Sequence, residues 1–131
     1  VMVVVEDAGA TGGVCKALAK HGYRVNPVAH DHAPPGRSDP EQWVKGYASA
    51  DRVHVHIRVQ GRGNHRYALL FRDYLRARPD MATAYGEAKR RLGAVLPEDS
   101  GRYADVKDPI CDLIYLAAEE WATRTAWSPP D

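Results

Sequence analysis

Apolar and basic residues alternate without interruption over residues 52–59, RVHVHIRV. Successive side chains of a strand point to opposite faces, so this period of two predicts a strand at Arg52–Gln60 with one apolar face. The face expected to be buried carries Val53, Val55 and Ile57. The opposite face carries Arg52, His54, His56 and Arg58. Like charges in a row repel one another, so the charges of this basic row must be either solvated by water or balanced by a negatively charged ligand.

The rest of the first half contains shorter apolar runs separated by turn signals. They predict strands at residues 1–5, 23–28 and 43–48 and a helix at Gly12–His21 with Thr11 as its N-cap. The sequence GATGG at residues 9–13 lacks the Lys-Ser/Thr pair of a P-loop and is interpreted as a turn, although a helix N-terminus there could hold an anion. The Pro- and Gly-rich residues 30–43 are predicted to form a loop.

In the second half, apolar residues follow a helical period. A helix is predicted at Asn64–Arg78 with a core-facing stripe that includes Tyr67, Phe71 and Tyr74. Pro79 is predicted to start a second helix that ends before Pro97, and Pro109 is predicted as the first residue of the last one. Strands followed by helices indicate the α+β class, here a small mixed sheet covered by C-terminal helices.

Composition narrows the classes of function. A chain of 131 residues with 44% hydrophobic and 27% charged residues is typical of one globular domain. The net charge of +1 favours neither specific nucleic-acid binding nor a membrane surface. Cys15 and Cys111 form no CxxC pair, which argues against a zinc or redox motif and suits a reducing cytoplasm. The apolar run VMVVV is too short to span a bilayer.

Local motifs for catalysis or metal binding are weak. The sequence has no GxSxG and no HExxH, so no catalytic residue is predicted. The HDH triplet at residues 30–32 could bind a metal, but a Pro-rich loop is a poor cage and no third ligand stands nearby. A solvated loop and no metal site are therefore the expectation.

Three longer stretches carry a resemblance to a known family. They are HVHIRV at residues 54–59, ALLFRDYLRARPDMATAYGEAKRRLG at residues 68–93 and YADVKDP at residues 103–109. Together they resemble the GrpB family of bacterial domains, whose pattern includes two Tyr–Lys pairs spaced by four. Here those pairs are Tyr85 with Lys89 and Tyr103 with Lys107. The resemblance covers essentially the whole chain and implies a nucleotidyltransferase-like fold, as in DNA polymerase β.

The departures from the family pattern concern its N-terminal side. The family opens with G-S-T-A-V-P-G-L and then K-P-x-I-D ahead of the first apolar strand, and neither stretch is present here. In polymerase-like enzymes, the Gly-Ser turn and the strand acid hold nucleotide phosphate and metal. Residues 1–131 are therefore interpreted as an N-terminally incomplete GrpB-like domain. Mg²⁺ and ATP would be required only by a complete transferase. At the third position after Lys107, Ile110 replaces the family's usual aromatic residue.

The resemblance leaves two hypotheses open. In some bacteria a domain of this type follows dephospho-CoA kinase, and both HVHIRV and the tail AEEWATRTAW are similar to that fused version. The chain would then be an auxiliary domain that binds a nucleotide or another phosphorylated small molecule, with a kinase domain linked upstream. The alternative is a nucleotidyl or phosphoryl transferase whose N-terminal catalytic segment, with the Gly-Ser turn and the strand acid, lies outside this sequence.

The candidate phosphate-binding residues are basic residues of the predicted strand and of the helices behind it. They are His54, His56, Arg58, Arg72, Arg76, Lys89 and Lys107. Arg72 and Arg76 lie on one helical face, and each lysine follows a tyrosine by one turn, which would direct these cations to a shared cleft. The competing interpretation pairs the two arginines with Asp73 or Glu87 at the surface, where ion pairs stabilise by only about 0–1 kcal/mol.

Overall fold

A computed structural model of the chain describes residues 1–97 and 99–130. The strands are β1 Met2–Val5, β2 Arg24–His30, β3 Val44–Ala50 and β4 Val53–Val59, and the helices are α1 Ala8–Lys20, α2 Gly63–Ala77, α3 Pro79–Val95 and α4 Ser100–Thr125. The chain divides into two compact units, Val1–Arg66 and Tyr67–Asp131. We call them the sheet unit and the helical unit.

The sheet unit contains one mixed sheet with the strand order β1-β4-β3-β2. β1 is parallel to β4, whereas β3 is antiparallel to both β4 and β2. β3 and β4 form a hairpin whose turn consists of Asp51 and Arg52, and Asp51 adopts a left-handed φ of 46°. Asp is one of the few residues other than Gly that enters this region readily. The α+β class and the small mixed sheet are thus confirmed.

The register predicted for β4 is confirmed at its centre and wrong at its beginning. Val55, Ile57 and Val59 are buried on the face that packs with Cys15 of α1. Val53, which was expected to be buried, is exposed because it is the first residue of the strand and lies next to the hairpin turn. The alternation therefore identifies the faces correctly, and the apolar face does form the core of this unit.

Helix α1 begins earlier than the sequence pattern predicts. Asp7 is its N-cap and accepts a hydrogen bond from the Ala10 N–H at 3.0 Å. All of GATGG is therefore helical rather than a turn, and Thr11 is not the cap. Thr11 is buried instead, against β3. A Cβ placed on Gly46 of β3 would lie only 2.6 Å from Thr11 Cγ2, so glycine is what lets this helix approach the sheet so closely.

Residues 30–43 are more regular than predicted. His30 still belongs to β2, and a short 3-10 turn at Pro40–Trp43 leads into β3, which starts at Val44 rather than at residue 43. β2 is an edge strand with an irregularity between Asn26 and Ala29. Pro27 lies within this irregularity, in agreement with the rule that proline within sheets is confined to edges and bulges.

The helical unit is built around aromatic contacts. One cluster of buried residues there consists of Leu70, Tyr74, Ile114, Tyr115, Ala118 and Ala122. Tyr67 and Phe71 are half-buried against them, with ring centroids of Phe71 and Tyr85 5.4 Å apart. The predicted boundaries of α2 and α3 agree with the structure to within about two residues.

The predicted start of α4 at Pro109 is wrong. The helix begins at Ser100, and Asp99 caps it by accepting a hydrogen bond from the Arg102 N–H at 2.9 Å. Pro109 lies inside the helix. A proline favours the first helical turn but can be accommodated further along, at the loss of one backbone hydrogen bond, when a capping residue already defines an earlier start.

Candidate functional site

The face of the sheet opposite α1 carries polar side chains from two neighbouring strands. β3 contributes Lys45 and Tyr47, and β4 contributes His56 and Arg58, with Tyr47 directly opposite His56 in the register. Alternation along each strand places these side chains on one face. The basic row predicted from β4 is therefore part of a two-strand polar surface.

The negative charge that balances the basic row comes from the chain itself. Asp31 directly follows β2, and its backbone N–H donates to the Trp43 carbonyl oxygen at 2.8 Å. Its carboxylate accepts two hydrogen bonds from Arg58, from Nε at 2.9 Å and from Nη2 at 3.0 Å. Lys45 Nζ also donates to Asp31. The side chains of Lys45, Arg58 and Asp31 are 10%, 13% and 15% exposed, so this is a largely buried ion-pair network.

Asn64 in the first turn of α2 completes the network. Its Nδ2 donates to Asp31 Oδ2 at 3.2 Å and to the Val44 carbonyl oxygen at 3.1 Å. Both partners are acceptors, which fixes the orientation of the side-chain amide. Asn64 is only 1% exposed, and its Oδ1 has no hydrogen-bond partner among the described residues. We call Asp31, Lys45, His56, Arg58 and Asn64 the Asp31 cluster.

His56 is the second member of the cluster with an unpartnered polar atom. Its Nδ1 is buried and makes no hydrogen bond within the described part of the chain. Burial, together with the positive charges of Lys45 and Arg58, lowers the pKa of His56 to about 4. The imidazole is therefore neutral at physiological pH. One of its nitrogens is a donor and the other is an acceptor in that state.

The cluster carries one net positive charge near neutral pH. Burial tends to raise the pKa of Asp31, but hydrogen bonds and charge from Arg58 and Lys45 outweigh it and lower that pKa below its usual value. One carboxylate thus faces two cations. Arg58 Nη1 donates only weakly, to the Met2 thioether at 3.4 Å. A divalent cation does not fit here, because Lys45 and Arg58 already occupy the carboxylate oxygens of Asp31 and would repel it.

His54 lies at the margin of this surface. It is exposed, its Nδ1 shares a hydrogen bond with the Tyr47 hydroxyl, and the two rings stack with centroids 6.0 Å apart. The ring of Tyr47 also meets His56 edge-on at 5.5 Å. These rings, of which His54 is exposed and the other two are half-buried, form an aromatic margin beside the buried charges.

The candidates from α2 are engaged locally within the helical unit. Arg72 Nε lies 2.7 Å from Asp73 Oδ1, and Arg76 Nη1 lies 3.6 Å from the same oxygen. The hydrogen bond from Arg72 lowers the pKa of Asp73, and the Trp127 indole N–H adds a further hydrogen bond to its carboxylate at 3.2 Å. Asp73 is thus the surface partner that the sequence offered as an alternative. Glu87, the other one, pairs with Arg90 and Arg91.

The two candidate lysines also have near neighbours in the helical unit. Lys89 Nζ lies 5.5 Å from the ring centroid of Tyr85, and Lys107 Nζ lies 3.4 Å from Asp108 Oδ1. An apolar groove of about 250 Å³ lies between α3 and α4, lined by Met81, Ala84, Tyr85, Ala88, Ile110, Leu113 and Ile114.

Three members of the cluster were missed by reasoning from the sequence. Asp31 was considered only as part of a metal-binding triplet, although it follows a predicted strand closely. Lys45 could have been found from the alternation VKGY, which places it on the same strand face as Tyr47. Asn64 carried no signal, because its role depends on where α2 begins.

The described residues contain neither a metal-binding cluster nor a membrane-spanning helix. Within residues 1–97 and 99–130, no group of three or more His, Cys, Asp or Glu side chains is placed to hold a metal ion. Across the same residues, no helix combines the length and apolar character needed to cross a bilayer.

Comparison with known proteins agrees with the fold and defines the class. The family described as GrpB protein matches residues 1–116, so the chain belongs to the GrpB family. A crystal structure of the conserved protein GrpB from Enterococcus faecalis aligns with 92% of this chain and 69% of that one, with a TM-score of 0.64 and 24% identity. This likeness shows the shared fold, and the mixed sheet with its helices is consistent with a nucleotidyltransferase-like architecture. The family resemblance is confirmed.

The similar curated proteins include dephospho-CoA kinases. The chain is 40% identical over 113 residues to the one from Mycobacterium leprae, covering 83% of this chain and 27% of that protein. It is 35% identical over 144 aligned positions to the one from Mycolicibacterium paratuberculosis, covering 98% of this chain and 35% of that protein. The chain thus spans about a third or less of the length of these relatives.

Proposed function

We propose that this chain is an auxiliary GrpB-type domain that binds a phosphate-bearing ligand, such as a nucleotide, at the Asp31 cluster without catalysing a reaction itself. The observation that carries the proposal is the pair of buried polar atoms without a hydrogen-bond partner, Asn64 Oδ1 and His56 Nδ1, beside a net positive charge. Buried polar groups in folded proteins are nearly always hydrogen-bonded, so exceptions of this kind require an explanation. A bound ligand supplies one.

A nucleotide offers the groups that the cluster needs. Its phosphate oxygens would accept from Arg58 Nη1, whose weak thioether partner is easily replaced, and would balance the excess charge. A ligand hydroxyl would donate to Asn64 Oδ1. The stacked rings of Tyr47 and His54 at the margin present aromatic faces of the kind on which nucleobases stack.

For the four basic candidates of the helical unit, Arg72, Arg76, Lys89 and Lys107, phosphate binding stays a separate prediction. Each already has a partner close to it in sequence. A ligand phosphate would have to compete with these carboxylates or with the tyrosine ring. The sheet-unit residues His56 and Arg58 therefore carry the main prediction, with His54 at the margin.

Thermal unfolding in the presence of ligands tests the proposal. Inorganic phosphate, ATP and CoA at millimolar concentration and low salt should raise the Tm of the wild-type chain, because a ligand that binds only the folded state stabilises it by mass action. The gain should shrink as salt is added. It should largely vanish in His56→Ala and Arg58→Ala.

The matched control is Lys16→Ala, which removes an exposed cation of α1 outside the cluster. It should leave the ligand-induced gain in Tm unchanged. If none of the three ligands changes the melt of the wild-type chain at low salt, the proposed binding is wrong and the polar surface has a structural role only.

The transferase alternative is tested with the same protein. Incubation with ATP and Mg²⁺ should give no sustained release of product if the chain is an auxiliary domain. Steady turnover that disappears in Arg58→Ala would replace the binding proposal with catalysis.

We also propose that the domain works as part of a dephospho-CoA kinase, in cytoplasmic coenzyme A biosynthesis. The similarity to two kinases, of which it spans only part, supports this proposal. A kinase domain linked upstream would then provide the ATP and Mg²⁺ chemistry. An antibody raised against this chain should detect a native polypeptide much larger than 14.5 kDa that carries ATP-dependent dephospho-CoA kinase activity. Detection of a native polypeptide close to 14.5 kDa alone would contradict the fusion.

A further inference from the structure

We propose that Asp31 is the specificity-determining residue of the cluster and restricts the ligand to a single negative charge, as in a phosphodiester, at the expense of phosphate monoesters. This inference rests on the proposed ligand-binding function and adds the class of anion. It follows from the charge balance of the Asp31 cluster and from the way Asp31 engages Arg58.

The charge balance comes first. Lys45 and Arg58 face one internal carboxylate, and all three side chains are 15% exposed or less. A monoanion would neutralise the remaining positive charge. A dianion would leave one uncompensated negative charge close to Asp31, in a region where water screens poorly and an unpaired buried charge is costly.

The geometry of Arg58 points in the same direction. Asp31 occupies the Nε and Nη2 edge of the guanidinium in a bidentate arrangement, at 2.9 Å and 3.0 Å. This is one of the edges on which arginine holds a phosphate through two parallel hydrogen bonds. The ligand is left with the outer edge, formed by Nη1 and the second Nη2 hydrogen, and Nη1 now faces the Met2 thioether at 3.4 Å. One such edge pairs with the two non-bridging oxygens of a phosphodiester, whereas the third charged oxygen of a terminal phosphate would find no second edge of Arg58.

The unpartnered amide oxygen of Asn64 is the third observation. Asn64 is 1% exposed, and its Oδ1 is an acceptor without a partner among the described residues. Such an oxygen repels an unprotonated phosphate oxygen and requires a donor such as a hydroxyl. The cluster therefore combines one site for a single negative charge with one acceptor for a ligand hydroxyl. A nucleoside phosphodiester with a free ribose hydroxyl provides both.

A matched pair of nucleotides tests the inference. Cyclic AMP is a phosphodiester with one negative charge, whereas AMP carries close to two at pH ~7.5, since the second pKa of a phosphate monoester is about 6. Both have the same base and a ribose hydroxyl. By calorimetric titration at low salt, the wild-type chain should bind cyclic AMP at least about tenfold more tightly than AMP, given the strength of interactions between buried charges. Dimethyl phosphate should likewise outrank methyl phosphate.

Asp31→Asn should reverse this ranking, because it removes the internal carboxylate and leaves two cations for the ligand. The control is Asp51→Asn, which removes the same charge from the exposed hairpin turn, where Asn also tolerates the left-handed φ. That variant should keep the wild-type ranking.

The outcomes separate the inference from the function on which it rests. If neither nucleotide binds any of the three proteins, the proposed function fails. If nucleotides bind but AMP outranks cyclic AMP in the wild type, or Asp31→Asn leaves the ranking unchanged, the role given to Asp31 is wrong while ligand binding stands. Should Asp31→Asn fail to fold, the wild-type ranking of the two nucleotides and of the two methyl esters decides the question alone.

Discussion

The sheet unit and the helical unit handle their charged residues in opposite ways. In the sheet unit, Asp31 holds Lys45 and Arg58 in a largely buried network that joins the end of β2 to β3 and β4. In the helical unit, charged residues pair with neighbours a few positions away on the same helix, as Arg76 does with Asp73 and Arg91 with Glu87. Short-range pairs of the second kind are ordinary features of solvated helix faces.

The comparison shows that basic residues that look alike in the sequence differ in their ion-pair partners and in their burial. Arg58 is fixed by a carboxylate 27 positions away and lies beside unpartnered buried atoms. Arg72 pairs with the adjacent Asp73 and is 40% exposed. Long-range, buried pairing therefore separates Arg58 from Arg72, and it is the reason why the proposed site is placed at Arg58.

The largest expected effect concerns the core of the helical unit. Leu70→Ala should reduce the free energy of unfolding by about 3–5 kcal/mol, because Leu70 is fully buried and its removal leaves a cavity. Leu113→Ala is the control, since Leu113 is 70% exposed and its truncation should cost less than about 0.5 kcal/mol. Urea denaturation followed by circular dichroism measures both. Equal losses would mean that the buried position of Leu70 on α2 or the exposed position of Leu113 on α4 is wrong.

Removing one carboxylate from each unit tests the comparison directly. Asp31→Asn should cost about 2–4 kcal/mol in ligand-free buffer, since it leaves two largely buried cations without their partner. Asp73→Asn should cost about 1 kcal/mol or less, because its ion pairs are partly solvated. Similar losses in urea denaturation for the two variants would remove the distinction between the units.

A tight helix–sheet contact predicts a smaller effect of the same kind. Gly46→Ala should destabilise the chain by about 1–3 kcal/mol, because the new methyl group would overlap Thr11 Cγ2 and crowd Ile57. Gly12→Ala in α1 has open space around the new Cβ and should be neutral or stabilising by up to about 1 kcal/mol. Thermal melts of the pair would contradict the close approach if Gly46→Ala were as stable as the wild type.

The smallest expected effect is a dependence of stability on pH. The pKa of His56 is about 4 in the folded chain, against an ordinary value of 6.5 for histidine, so the unfolded state binds this proton more readily. The stabilisation is complete above pH 6.5 and is lost as the pH falls from 6.5 towards 4. Because the side chain is only half-buried, the total loss should be about 1–2 kcal/mol, less than the roughly 3 kcal/mol that this pKa difference implies at about 1.4 kcal/mol per pH unit.

His56→Gln provides the control for this pH dependence. Burial and the charge of Arg58 also lower the pKa of His65, so part of the acid sensitivity is common to both proteins. The variant should lose less stability than the wild type between pH 7 and about pH 5. An identical loss in urea denaturation at the two pH values would show that His56 does not titrate as expected.

Local patterns predicted much of the secondary structure from the sequence. The alternation in β4 and the helical stripe of α2 are strong signals because each repeats over several turns or residue pairs. The starts of α1 and α4 were missed, because Asp7 and Asp99 act through single capping hydrogen bonds that compete with the apparent signals of Thr11 and Pro109.

Only the part of the candidate site that lies on strand β4 could be predicted from the sequence. His56 and Arg58 share a face of β4, and their pattern is visible in the sequence. Asp31 and Asn64 reach the same place through the end of another strand and the start of a helix. No periodicity links such distant positions, and only the three-dimensional fold brings them together.

The irregularity in β2 has a consequence for how this molecule behaves at high concentration. An open sheet edge is a template on which a strand from a second molecule can add. In the middle of β2, Pro27 has no N–H, and the Val28 N–H already donates to Asn26 Oδ1 at 3.0 Å. A strand arriving at this edge would find no free donor at two consecutive positions. The edge is thereby protected against intermolecular β-sheet growth, and a Pro27→Val variant would be expected to aggregate sooner than the native chain.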